Sequence, residues 1–134
     1  YMDNTIKFCR KSGYVNNIFG RRSHVSGIND KNYNIRNFQE RAAINAPIQG
    51  SASEVMRMAM IRLNKRFESL KDIKSKILLQ IHDELIFEVP NNEVKIISKI
   101  IKEEMTSVSE SSLHSFTTPL TVDINIGDNW GILH

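Results

Sequence analysis

The sequence contains 134 residues, 40% of them hydrophobic and 25% charged, a composition typical of a globular domain that buries its own core. No apolar run approaches the roughly 20 residues that cross a bilayer, so we expect no membrane partner, and the single cysteine, Cys9, excludes an internal disulfide. The net charge of +3 divides into +8 over residues 1–67 (12 Lys and Arg, 4 Asp and Glu) and −5 over residues 68–134 (6 and 11). A basic half can attract a phosphate backbone, although an unevenly charged ordinary surface explains the same counts.

The first third of the chain predicts a helix, a hairpin and a loop. Residues 2–12 are expected to end a helix at Gly13. Residues 14–25 are rich in β-formers and are broken at Gly20, which is typical of a short hairpin. Residues 26–34 combine Gly, Asn, Asp and Ser and therefore favour a loop.

Two helices are predicted next. The first covers residues 36–45 and is interrupted by Pro47, because proline disfavours helical geometry in the residue before it. The second runs from about residue 49 to residue 70. Its apolar residues recur at three- and four-residue steps, which predicts one buried face, formed by Ala52, Val55, Met56, Ala59, Leu63, Phe67 and Leu70.

The second half mixes strands and a helix. Residues 76–82 (KILLQIH) and 85–90 (LIFEVP) are predicted as strands joined tightly at Asp83–Glu84. Residues 91–105 predict an asparagine-capped helix, with an apolar face of Val94, Ile97, Ile101 and Met105. Residues 120–126 (LTVDINI) alternate apolar and polar, which predicts another strand. Without strict βαβ alternation, this pattern favours an α+β domain with helices packed on an antiparallel sheet.

The acidic pair Asp83 and Glu84 interrupts an apolar run. Two neighbouring carboxylates repel each other, and burial would add a desolvation cost. A divalent cation would offset both effects, and carboxylates are hard oxygen ligands that suit Mg²⁺. An exposed acidic loop, with His82 as a hydrogen-bonded bystander, is the alternative. Catalysis by two metals needs a further carboxylate; Asp123 and Asp128 are the local candidates, but nothing around them recommends either.

A second polar group lies in residues 39–54 (QERAAINAPIQGSASE). Arg41, Asn45 and Gln49 are spaced to project along related helical faces. Arginine pairs with phosphates, and amides donate to acceptors on base edges, which the minor groove offers in every base pair. Taken alone, the segment fits either a duplex-contacting surface or an amphipathic helix with capping amides.

Four stretches in order resemble the C-terminal region of family A DNA polymerases, the bacterial polymerase I type: GYVNNIFGRR, ERAAINAPIQGSASE, QIHDELIFEVP and GDNW. The resemblance covers essentially the whole chain, which would then be a single palm fragment bordering the fingers, and HDE is similar to the family's motif C. It implies nucleotidyl transfer from a deoxynucleoside triphosphate to a primer 3′-hydroxyl, in DNA replication or repair in the bacterial cytoplasm. Ser51, Ser53 and Glu54 depart slightly from the commoner family residues.

The resemblance also implies roles for particular residues. Asp83 would be a catalytic, metal-ligating aspartate, Glu84 a secondary acidic partner, and His82 a contact to the primer terminus. The residues implied along the primer-template duplex are Arg41, Asn45 and Gln49, and those implied on phosphates are Arg21, Arg22 and Arg36.

The family pattern is incomplete in this chain. The earlier "DYSQIE"-like strand with the other metal-binding aspartate does not appear, nor does the fingers helix that holds the incoming nucleotide. We therefore expect these parts upstream of Tyr1 in the same polymerase chain, a two-metal Mg²⁺ site only partly supplied here, and no polymerisation by the isolated chain. A non-catalytic DNA-binding module of the same fold and an unrelated metal-dependent hydrolase are the alternatives.

Overall fold

A computed structural model describes residues 1–110 and 116–132, and the chain divides into two compact units, Tyr1–Val55 and Met56–His134. Helices and antiparallel strand pairs confirm the α+β class. The elements in chain order are α1 (Met2–Ser12), β1 (Tyr14–Asn16), β2 (Arg22–His24), α2 (Tyr33–Ser69), β3 (Lys76–Ile81), β4 (Glu84–Glu88) and α3 (Val94–Thr106), with short 3₁₀ helices at Ser107–Glu110 and Trp130–Ile132. No helix within the described ranges has both the length and the apolar character to cross a membrane.

The first unit begins as the sequence predicts. α1 ends at Gly13, whose φ of 78° is left-handed and whose N–H donates to the Cys9 carbonyl. β1 and β2 then pair antiparallel, from Tyr14 opposite His24 to Asn16 opposite Arg22. The loop between them also uses glycine where φ is positive, at Gly20. Both predictions are confirmed because glycine adopts a positive φ with less strain than other residues do. A glycine in the sequence therefore indicates such a position.

The core of the first unit gathers residues from the helices and the hairpin. It contains Cys9, Val15, Val25, Ile28 and Ala43. Cys9 is fully buried, and burial raises the pKa of its thiol. The thiol is therefore an apolar filler in this unit rather than a reactive group.

Helix α2 is continuous through Pro47, so the predicted interruption is wrong. Proline removes one backbone donor, and with it the bond to the carbonyl four residues earlier, here that of Ala43. Tertiary packing of an amphipathic helix commonly outweighs a local preference of this size, and Ala43 itself is buried. The Ser51 hydroxyl also donates to the carbonyl of Pro47 itself, an additional hydrogen bond at this turn of the helix.

The apolar face predicted for the second half of α2 is largely correct. Met56, Ala59 and Leu63 are buried, whereas Ala52 is exposed. The core of the second unit is formed by Leu63 with three buried isoleucines of α3, Ile97, Ile100 and Ile101. Partly buried side chains from both strands pack against it, among them Ile77, Leu85 and Phe87.

The predicted asparagine cap of α3 is wrong. The N-cap is Glu93, and its side chain makes no capping bond. Its buried carboxylate instead accepts hydrogen bonds from the Ser75 hydroxyl and from the backbone N–H groups of Lys74 and Ser75, at 3.1 and 3.0 Å. These bonds, led by that from the Ser75 hydroxyl, hold the pKa of Glu93 below its ordinary value. Glu93 thus fastens the start of α3 to the chain that enters β3.

The predicted strand at residues 120–126 does not form. A strand needs a neighbour to complete its backbone hydrogen bonds, and the sheets found among the described residues are the pairs β1–β2 and β3–β4. The alternation itself is partly present: Leu120, Val122 and Ile124 are less exposed than the polar residues between them, and Ile124 packs against the core of the second unit. Ile126, by contrast, is exposed.

Candidate metal-binding turn and nucleic-acid interface

The β3–β4 turn lies one residue earlier than predicted, so Asp83 is in the turn and Glu84 is not. Ile81 is paired with Glu84, so the turn residues are His82 and Asp83, and Glu84 opens β4. His82 has a φ of 50°, in the region that the first position of a two-residue hairpin turn often fills with glycine. A side chain at this φ carries a backbone cost of about 1–2 kcal/mol, so the turn is not the one that local preference alone would select.

The turn is exposed. His82, Asp83 and Glu84 all face solvent in the second unit, so the desolvation cost expected from the apolar sequence around them does not apply. Asp83 in the turn and Glu84 at the start of β4 bring two carboxylates to consecutive positions at the exposed end of the hairpin. Such an arrangement offers adjacent hard oxygen ligands to a cation.

The carboxylates supply only part of a metal site. Within residues 1–110 and 116–132, no group of three or more His, Cys, Asp or Glu side chains is placed to hold a metal ion. Asp123 and Asp128, the other local candidates, are exposed. Mg²⁺ is commonly bound by one or two protein carboxylates together with waters and substrate phosphates. Asp83 and Glu84 therefore fit the protein's share of such a site.

A β-bulge in β3 was not predicted from the sequence. Ile77 pairs with Phe87, but Leu79, two residues later, pairs with Ile86, so Leu78 is an extra residue. Adjacent residues of a strand face opposite sides of the sheet; Ile77 and Leu79 therefore lie on opposite faces, although their spacing alone predicts one face. Bulges bend a strand and re-aim the residues beyond it. The residues of β3 between Leu78 and the turn therefore lie on the faces opposite to those that their spacing from Ile77 predicts.

The polar group on α2 forms one exposed stripe in the first unit. Arg41, Asn45 and Gln49 follow each other at four-residue steps and are all exposed, as their spacing predicts. The stripe is about 12 Å long at 1.5 Å per residue. Ile48, beside it, is also exposed. The stripe presents a guanidinium and two amides to solvent along one line.

The arginines predicted on phosphates differ in their surroundings. Arg21 is largely exposed, and its Nη1 lies 3.3 Å from the Glu54 carboxylate. The guanidinium of Arg22 lies over the ring of Tyr14, 4.6 Å from its centroid. Arg36 is half-buried, and its Nη1 donates to the Asp30 carbonyl at 3.0 Å. Arg21 and Arg22 are therefore the better placed for a partner.

The sequence did not predict the hydrogen bonds from Asn17 and Ile18, in the β1–β2 loop, to α2, which we call the joint. The Asn17 side chain donates to the Gly50 carbonyl at 3.2 Å, and the Ile18 N–H donates to the Ser51 hydroxyl at 3.2 Å. Asparagine is common in loops, so nothing in the sequence distinguishes Asn17 from other loop residues. Its burial in the structure distinguishes it. The stripe, the arginine hairpin and this joint belong to the first unit, and the acidic turn belongs to the second.

Comparison with known proteins gives a consistent result. Residues 1–132 match the profile described as DNA polymerase family A. DNA polymerase I of Caldicellulosiruptor bescii is 41% identical over 130 residues, 97% of this chain and 15% of that protein. DNA polymerase I of Lactococcus lactis subsp. lactis is 43% identical over 130 residues, 97% of this chain and 14% of that protein.

A solved structure agrees with the sequence matches. The POL domain of Pol1 from M. smegmatis, in complex with DNA primer-template and dNTP, superposes with a TM-score of 0.76 at 37% identity, over 81% of this chain and 19% of that chain. The chain spans about one seventh of the length of the curated relatives that it matches.

Proposed function

This chain belongs to DNA polymerase family A, and from that premise we propose that it supplies part of the active site of a template-directed DNA polymerase. The reaction is attack of a primer 3′-hydroxyl on a deoxynucleoside triphosphate, with release of pyrophosphate. The observation that carries the proposal is the exposed Asp83–Glu84 pair, in which Asp83 lies in a two-residue hairpin turn and Glu84 begins β4. The similar M. smegmatis domain, which was solved with primer-template and dNTP, supports it.

The acidic turn is the chain's contribution to catalysis. Asp83 and Glu84 would hold Mg²⁺ through carboxylate oxygens, with Asp83 the main ligand. When bound, Mg²⁺ lowers the pKa of the primer hydroxyl and neutralises charge on the leaving pyrophosphate. The hairpin holds the two acidic residues at consecutive positions of its exposed end before substrates arrive.

His82 contributes from the same turn. Its imidazole is exposed and can donate an N–H to an oxygen at the primer terminus. Because the residue precedes Asp83 directly, a primer end contacted by His82 lies beside the metal-binding carboxylate. The positive φ of His82 sets the direction in which the turn presents both side chains.

The stripe on α2 holds the duplex near its growing end. The amides of Asn45 and Gln49 donate to the N3 and O2 acceptors that every base pair offers in the minor groove. Such contacts test the shape of a pair without reading its sequence. Arg41 binds phosphate, as do Arg21 and Arg22, with a smaller share for the half-buried Arg36. Sequence-independent binding of this kind suits an enzyme that copies any template.

The rest of the polymerase completes the site. Among the described residues no third ligand joins Asp83 and Glu84, and the curated relatives are about seven times longer than this chain. We place the second metal-binding carboxylate and the nucleotide-holding helix in other parts of the parent polypeptide, which works in the bacterial cytoplasm on nucleoid DNA.

A primer-extension assay tests the proposal. The 134-residue chain and the full-length polymerase that contains it are compared on one primed template with Mg²⁺ and all four deoxynucleoside triphosphates. The parent should extend the primer, whereas the chain alone should not. A parent that binds primed DNA and never extends it would instead favour a non-catalytic duplex-binding module. Extension by the isolated chain at the parent's rate would contradict the partial site.

A further inference from the structure

We propose that Asn17 is a positioning residue, which fastens the hairpin that carries Arg21 and Arg22 to the turn of α2 that follows Gln49. The DNA partner of these residues rests on the proposed function; the joint itself is a feature of the first unit. Asn17 is not expected to touch DNA, because only 7% of it is exposed.

The Asn17 side chain uses both ends of its amide. Its Nδ2 donates to the Gly50 carbonyl at 3.2 Å, while its Oδ1 accepts from the backbone N–H groups of Phe19 and Arg21 at 3.0 and 2.9 Å. The Asn17 backbone also closes the loop, since its N–H donates to the Arg21 carbonyl and its carbonyl accepts from Gly20. One buried side chain thus shapes the loop and ties it to α2.

Two further contacts reach the same turn of α2. The Ile18 N–H donates to the Ser51 hydroxyl at 3.2 Å, and Arg21 lies 3.3 Å from the Glu54 carboxylate. The ion pair is weak, because Arg21 is largely solvent-exposed. The hydrogen bonds are directional, and those of the Asn17 side chain are partly shielded from water. They therefore determine where the hairpin sits on the helix.

The joint matters because it fixes the spacing between two DNA-contacting groups. Gln49 is adjacent to Gly50 in α2, Arg21 is the last residue of the loop that Asn17 closes, and Arg22 begins β2. When two such groups are held in place beforehand, a duplex meets both without the cost of ordering one of them. Loosening the joint should therefore weaken duplex binding even though every DNA-contacting side chain is still present.

The test uses the 134-residue chain and two matched pairs of variants. Asn17→Asp keeps an oxygen that accepts the loop bonds and removes the donor to Gly50; Asn16→Asp makes the same charge change at the exposed neighbour. Ser51→Ala removes the acceptor of the Ile18 N–H; Ser53→Ala is its exposed control. The dissociation constant for a primer-template duplex is measured across a salt series, with the melting temperature of each variant.

The joint predicts a specific pattern. Asn17→Asp should weaken duplex binding about three- to tenfold more than Asn16→Asp, the effect of one hydrogen bond. The slope of log K against log salt should also become shallower by about 0.9 for each phosphate that Arg21 or Arg22 no longer neutralises. Ser51→Ala should also weaken duplex binding and make the salt slope shallower, whereas Ser53→Ala should change neither the affinity nor the slope.

Three results would overturn the proposal, and they separate it from the proposed function. If the native chain binds the duplex and Asn17→Asp matches Asn16→Asp, the positioning role is wrong while the DNA-binding function stands. If Asn17→Asp lowers the melting temperature and leaves the salt slope unchanged, its role is structural only. If the native chain fails to bind the duplex even at low salt, the positioning role is wrong, whereas the proposed polymerase function is still judged by primer extension in the parent.

Discussion

Ile81 and Glu84 are paired across the β3–β4 hairpin, which leaves His82 and Asp83 as the two residues of its turn. The proposed metal ligand therefore lies at the tip of the hairpin, and its acidic neighbour lies at the first position of β4. A two-residue turn allows little freedom in direction. The position of Asp83 is thus fixed by strand pairing rather than by contacts of its own carboxylate.

The positive φ of His82 gives a stability prediction. Glycine occupies this region without the strain that any Cβ brings, so His82→Gly should unfold at higher denaturant than His82→Ala, by about 1 kcal/mol. Chemical denaturation of the isolated chain measures the difference. The two variants lack the imidazole equally, so both should lower primer extension in the parent. A His82→Ala chain as stable as His82→Gly would mean that the turn is not strained.

Leu63 tests the core of the second unit. It is fully buried against isoleucines of α3, and truncation leaves a cavity, so Leu63→Ala should lower the free energy of unfolding by about 2–5 kcal/mol. Ile61, two residues earlier on α2, is 47% exposed, and Ile61→Ala should cost about 1 kcal/mol or less. Urea denaturation compares the two. Equal losses would contradict the packing described for this unit.

Glu93 predicts a pH dependence of stability. Hydrogen bonds, first from the Ser75 hydroxyl, lower its pKa in the folded chain, so the unfolded state takes up the proton first as the pH falls. The stabilisation is therefore complete above the ordinary glutamate pKa, about 4.3, and is lost as the pH falls through the lower folded value.

Urea midpoints at pH 7 and in steps below pH 4.5 test this dependence. Glu93→Gln should be less stable than the native chain at pH 7, and the difference between their urea midpoints should become smaller in acid. Glu103→Gln, which removes an exposed carboxylate of α3, is the control and should show a constant difference. If the difference in urea midpoint between Glu93→Gln and the native chain also stayed constant, protonation of the Glu93 carboxylate would not be the cause of the pH dependence.

The α2 stripe predicts two kinds of loss in duplex binding. Arg41→Ala should weaken binding and make the salt slope shallower by about 0.9, because one phosphate is no longer neutralised. Gln49→Ala should weaken binding with the slope unchanged, because an amide on a base edge releases no counterion. Lys7→Ala, at an exposed position of α1, should leave the slope unchanged. A Gln49→Ala variant that changes the slope as Arg41→Ala does would contradict the minor-groove assignment.

Local signals in the sequence predicted much of the fold. Gly13 and Gly20 marked the end of α1 and the β1–β2 loop because both positions have positive φ. The apolar steps through Met56, Ala59 and Leu63 predicted the buried face of α2, and the four-residue spacing from Arg41 to Gln49 predicted its exposed stripe. These features depend on backbone geometry and periodicity, which neighbouring residues determine.

The errors arose where distant contacts decide. Helix α2 continues through Pro47 because its face is packed, and the cap of α3 is Glu93 because its carboxylate is used by Lys74 and Ser75. The position of the hairpin turn depends on how β3 pairs with β4, including the extra residue Leu78. Such outcomes depend on partners far away in the sequence, which a local pattern does not contain.

Asp83→Asn in the full-length polymerase tests the central claim most directly. Steady-state primer extension with Mg²⁺ is measured beside duplex affinity, with Asp123→Asn as a control at an exposed aspartate. Loss of partners around metal ligands commonly costs 10- to 100-fold, so loss of the ligand itself should slow extension by about 100-fold or more while duplex binding is retained. An Asp83→Asn polymerase that extends primers at the native rate would contradict the account.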